Sequence, residues 1–64
     1  MFNYASFNVW HVDFPQNKLT DLKAMGKRGA ETKGYKILKS QRLIPFDADK
    51  HGMKAQEAKY EKAY

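Results

Sequence analysis

The absence of cysteine from a chain of 64 residues does most to narrow the folds open to it. A domain this small buries only about 60% of the surface its unfolded chain exposes, so its core is thin. Scaffolds of this size usually add disulfides, a metal or a partner chain, and without cysteine both disulfides and thiolate-held metal are closed. The same absence fits a reducing compartment, and a cytoplasmic location is expected. No apolar run nears the roughly 18 residues of a membrane span. The start MFNYASFNVWHVDF has neither a basic leader nor a small-residue cleavage site, so a soluble, unprocessed chain without membrane contact is expected.

Charge is unevenly placed. The net +5 arises wholly between residues 18 and 42, where Lys18, Lys23, Lys27, Arg28, Lys33, Lys36, Lys39 and Arg42 face only Asp21 and Glu31. The first seventeen residues hold Asp13 alone, and residues 47–64 balance four carboxylates with four lysines. A field so local steers anionic partners, and nucleic acid is the commonest of these. The plainer reading is a solvated surface that aids solubility. Cations at the C-terminal end of a helix also favour its dipole, which accounts for Lys23, Lys27 and Arg28 but not for Lys33, Lys36, Lys39 and Arg42.

Local patterns divide the chain into four pieces. Aromatic and β-branched residues from Tyr4 to Phe14 predict a strand, whose apolar residues change from odd positions (Ala5, Phe7, Val9) to even ones (Trp10, Val12, Phe14). A bulge near Val9 and Trp10 would reunite them on one face, leaving Tyr4, Ser6, Asn8, His11 and Asp13 on the other. A strand buried on both faces is the competing explanation. Pro15 suits a helix start, and Leu19, Leu22 and Met25, spaced by three, predict a helix over about 16–26 ended by Gly26 or Gly29. A basic loop, residues 26–34, leads to a second β-prone run, Tyr35–Phe46, read as one edge strand or a hairpin. Asp47 or Asp49 would cap a final helix over about 50–63.

The expected fold is a small α+β domain of order β-α-β-α, with residues 1–46 as a β-α-β core and 47–64 as a C-terminal helix. Its sheet has two or three strands. Two strands joined by a helix would be parallel, and a pair alone leaves both edges open. A second copy or a larger complex is therefore expected to complete the sheet, unless a hairpin within 35–46 supplies a third strand.

Catalytic chemistry has little footing. Ser6 and Ser40 lie in strand-like context without a nucleophile-elbow sequence, so no enzyme is expected. His11 and Asp13 with His51 have the residue types of a metal site but not the spacing of a motif; a surface imidazole beside a capping carboxylate is the better reading. Gly29 and Gly34 are spaced like Walker A glycines, but Tyr35 stands where the lysine is needed, and no cofactor is expected.

Gly26-Lys27-Arg28-Gly29 resembles the GxxG loop with which KH domains clamp a nucleic-acid backbone, where small residues let phosphates approach main-chain amides. The resemblance is confined to that loop and its flanks. A KH fold would continue with a helix, whereas Gly34 and Tyr35-Lys36-Ile37-Leu38 read as β-prone, and too little chain remains for the rest of its sheet.

These features join in a non-enzymatic nucleic-acid-binding or nucleoprotein-associated protein whose segment 23–42 contacts phosphates with little base specificity. Its contacts are Lys23, Lys27, Arg28, Lys33, Lys36, Lys39 and Arg42, with loop backbone from Gly26, Gly29 and Gly34. The alternative is a small modulator, inhibitor or accessory subunit of the kind phages and mobile elements encode. It would dock on an acidic protein surface through Trp10, Tyr35, Met53, Tyr60 and Tyr64. Stacking of Trp10 and Tyr35 on bases competes with core packing, which is favoured for aromatics on strands of so small a domain.

Overall fold

Alternation in the first strand is regular and carries the fold. In the computed structural model, which describes residues 4–58, β1 (Ala5–His11) turns Ala5, Phe7, Val9 and His11 to one side, and Phe7, Val9 and His11 are all buried. It pairs with β2 (Phe14–Ala24) and, on its other edge, with β3 (Met53–Glu57), both antiparallel, giving the order β2-β1-β3. One helix, α1 (Lys27–Ser40), packs across this sheet, and a 3-10 turn (Lys50–Gly52) leads into β3. The α+β class with a three-stranded sheet stands. Along the chain the order is β-β-α-β, and antiparallel pairing replaces the parallel crossover.

The ladder is irregular on both sides of Val9, between Phe7 and Val9 and between Val9 and His11 across Trp10, but the extra residues lie on β2 and not on β1. Phe7 pairs with Leu22 and Val9 with Leu19, so Asn8 of β1 stands opposite two residues of β2, Thr20 and Asp21. The extra residue is accommodated beside Asp21, whose φ is 58°. This bulge resets the alternation: Leu19 and Leu22 both pack on the core, while Thr20 and Asp21 are exposed. Their spacing of three, which mimics a helix over 16–26, is the signature of a bulged strand. Pro15 is tolerated because β2 is an edge strand.

The turn between these strands, Val12-Asp13, carries no glycine or asparagine signal. Tertiary bonds secure it instead. His11, placed on the polar face by the sequence reading, is 1% exposed. Its Nε2 donates to the Asp49 carbonyl at 2.7 Å, and its Nδ1 accepts from the Asp13 N–H at 3.1 Å. The Val12 N–H donates to the Gly52 carbonyl at 2.9 Å.

The predicted loop 26–34 is the first half of α1, and the predicted strand 35–46 is its second half followed by turns. The stripe of α1 that meets the sheet is Ala30, Gly34 and Leu38, spaced by four. Two of its three members are too small to register as hydrophobic periodicity. Gly34 has a packing role: a Cβ there would stand 2.5 Å from Val9 Cγ1. Val9 is fully buried and stiff at χ1, so it cannot yield. Gly34→Ala is therefore expected to lower stability by about 1 kcal/mol net, overpacking outweighing the helix-propensity gain of alanine. Gly29→Ala, with nothing within 4 Å of its Cβ, is expected to raise stability by up to about 1 kcal/mol. Thermal melts of the two variants should move in opposite directions, and equal shifts would contradict this packing.

At its C-terminus α1 closes with a Schellman arrangement. The Arg42 N–H donates to the Lys39 carbonyl at 3.0 Å and the Leu43 N–H to the Leu38 carbonyl at 2.9 Å. The left-handed position, which favours glycine, is held by Arg42 at φ 60°, at a cost of about 1–2 kcal/mol. Residues 41–49 then return along the helix and bury Ile44. Asp49 is a cap, accepting from the His51 N–H at 2.9 Å, but the element it caps is the 3-10 turn. Residues 53–57 of the predicted final helix are β3, which supplies the third strand within the chain. The rest of that helix, including Tyr60 and Tyr64, lies outside the described residues.

Candidate nucleic-acid interface

The basic segment divides between two surfaces. Lys23 lies on the sheet face away from α1, where its Nζ donates to Ser6 Oγ at 2.6 Å. Lys33 leans from the helix toward β2 and donates to the Lys23 carbonyl at 3.1 Å. Lys27, Arg28 and Lys36 are exposed on α1, and Lys39 is half-buried there. Helical spacing aligns Arg28, Thr32, Tyr35 and Lys39 along one flank of α1 beside its buried stripe, with Tyr35 half-buried against the core and Lys36 next to the row. Glu31 is the one carboxylate within α1.

Gly26, Gly29 and Gly34 do not form a phosphate-cradling loop. Gly26 is the N-cap of α1 in an extended conformation, Gly29 lies in the first turn, and Gly34 faces the sheet. The GxxG resemblance thus falls at a strand-to-helix junction. The helix expected ahead of it is β2, and the β-prone run expected behind it is helical.

Two hollows border the basic flank. The first lies between α1 and the 3-10 turn and is lined by Arg28, Glu31, Thr32, Tyr35, Lys50 and His51 over buried Met53. The second lies beyond the helix end and is lined by Lys39, Arg42, Leu43, Ile44, Pro45 and Phe46. Tyr35 joins them. Its hydroxyl donates to the Ala48 carbonyl, and Lys39 Nζ sits 4.3 Å from its ring centroid and 5.6 Å from that of Phe46. Arg28, Lys50, Tyr35, Lys39, Arg42 and Phe46 therefore form a track of cations and aromatics.

The residues assigned to a protein partner do not share one surface. Met53 is 4% exposed and belongs to the core. Trp10 is half-buried on the sheet face away from α1, opposite Lys54 on β3, with Lys18 Nζ 5.0 Å from its ring centroid. Tyr35 stands on the helix track. His11 has both ring nitrogens engaged with main-chain groups, and among the described residues no three potential ligands gather as a metal site. No described helix is long and apolar enough to cross a membrane.

Sequence reading missed Phe46 and Lys50. Phe46 was the apolar end of a presumed strand, and Lys50 was balanced against nearby carboxylates. The available signal was Pro45 beside Phe46, shortly after the cations Lys33, Lys36, Lys39 and Arg42. Comparisons with protein-family models, curated proteins and solved structures return no match to the chain.

Proposed function

We propose that this is a non-enzymatic, cytoplasmic nucleic-acid-binding protein that grips the phosphate backbone along the outer flank of α1. The carrying observation is the track on which Arg28, Lys39, Arg42 and Lys50 are interleaved with Tyr35 and Phe46. Cations on such a track neutralise phosphates, and exposed Phe46 offers a stacking surface to a base, while half-buried Tyr35 positions Lys39. A helix is rigid, so the charges on its surface keep their spacing. The role shifts from a loop cradling phosphates by its amides to a helix presenting side chains.

Titration of labelled DNA and RNA oligonucleotides at several salt concentrations tests this reading. With Arg28, Lys36, Lys39, Arg42 and Lys50 all engaged, log K should fall against log salt with a slope of about −3.5 for single strands and −4.5 for duplex. Absence of binding at low salt would overturn it. Retention of a stoichiometric protein partner from nuclease-treated extract, without any nucleic-acid affinity, would instead favour an acidic protein surface as the ligand.

A further inference from the structure

Three features of the second hollow are unexplained by folding. Phe46 is 88% exposed, the most exposed large hydrophobic among the described residues. It follows Pro45, whose ring fixes its own φ and so limits the motion of the segment that presents Phe46. Arg42 holds a left-handed position at φ 60°, where glycine would close the same Schellman motif without strain. Lys39 stands between the Tyr35 and Phe46 rings, so its charge is placed at the edge of the exposed aromatic surface.

Backbone strain retained in a small domain points toward a use for the side chain that causes it. Arg42 and Lys39 both line the hollow that Phe46 borders. An exposed ring flanked by two cations matches a nucleotide with an unstacked base: the base meets the ring face, and its phosphate meets the cations. In a duplex, bases are stacked on one another and their faces are closed to such a ring.

We infer that Phe46, Lys39 and Arg42 form a subsite for one unpaired nucleotide of a single-stranded nucleic acid, with the base stacked on Phe46 and the phosphate held by Arg42 and Lys39. This rests on the phosphate-gripping role of α1 and adds to it a preference for single strands.

Two substitutions separate this subsite from both folding and general phosphate binding. Phe46→Ala removes an exposed ring, so the melting temperature should hold while affinity for a single-stranded oligonucleotide falls by about five- to a hundredfold and duplex affinity stays unchanged. Arg42→Gly relieves the left-handed strain, so the melting temperature should rise while single-strand affinity falls. A stabilised Arg42→Gly variant with undiminished single-strand binding would mean that the arginine serves no nucleotide, and would overturn the subsite. So would equal loss of single-strand and duplex affinity in Phe46→Ala. If Phe46→Ala binds single strands as the parent does while Arg28→Glu weakens binding, the subsite fails and the phosphate grip of α1 survives. If the parent binds neither form at low salt, the wider reading fails with it.

Discussion

Replacing Leu38 with alanine should leave the protein largely unfolded at 25 °C. Leu38 is fully buried and is the largest of the side chains that are, a group that includes His11, Val9 and Ser6. The other members of its helical stripe, Ala30 and Gly34, are small, so Leu38 is the one large side chain of α1 that is fully buried, with half-buried Tyr35 beside it on the core. Truncating a buried leucine costs about 2–5 kcal/mol, through lost transfer energy and the cavity left behind. A core of this size rarely supplies more than about 3–5 kcal/mol, so the loss is comparable to the total. Urea denaturation followed by far-ultraviolet circular dichroism should show a folded baseline reduced or absent without denaturant. A loss below about 1 kcal/mol would mean that α1 is not docked through this stripe.

The second large effect concerns binding. Arg28→Glu with Lys36→Glu reverses two exposed cations and lowers the net charge from +5 to +1. Neither side chain belongs to the buried stripe of α1, so the melting temperature should change little. Each lost charge-assisted contact weakens binding by about tenfold, and the new carboxylates add repulsion from phosphate. Affinity for oligonucleotides should therefore fall by about a hundredfold or more, and the salt slope should become shallower by about two. A comparable reversal on the other surface, Lys18→Glu with Lys54→Glu, matches the change in net charge and should have a much smaller effect. Equal losses from the two pairs would indicate attraction by overall charge, with no dedicated face.

The strand content at the start of the chain was legible because its aromatic and β-branched residues permit little else. The α+β class followed from the same reasoning, but the third strand comes from residues 53–57, where a helix was expected, and not from a hairpin within 35–46. Three particular residues hid the rest. Asp21, at a positive φ, inserts a residue into β2 and gives Leu19 and Leu22 a helical spacing. Gly34 lies in the middle of a helix, where local propensity speaks against it, because only a residue without Cβ fits against Val9. His11 is polar by type yet buried, since bonds to Asp49 and Asp13 satisfy both ring nitrogens. At Gly34 and His11 a tertiary contact overrides the local pattern, and at Asp21 the bulge in the β1–β2 ladder does.

The candidate site was legible as charge but not as geometry. Concentration of cations between residues 18 and 42 was visible directly, and five of the seven cations named for phosphate contact lie on α1. What the sequence could not show was that Lys23 leaves for the far sheet face, or that the chain returns after α1 to set Phe46 and Lys50 beside the helix. The case for a completing partner also changes, because β3 comes from this chain and fills the sheet position that a second copy was expected to take.

The flank of α1 as a phosphate-binding track is tested most directly by following backbone amide resonances of the labelled protein during titration with a short single-stranded oligonucleotide at low salt. The largest shifts should fall at Arg28, Thr32, Lys36, Lys39, Arg42, Phe46 and Lys50, with Asn8, Trp10 and Lys54 on the opposite sheet face little moved. Shifts concentrated on those sheet residues, or none anywhere, would contradict it.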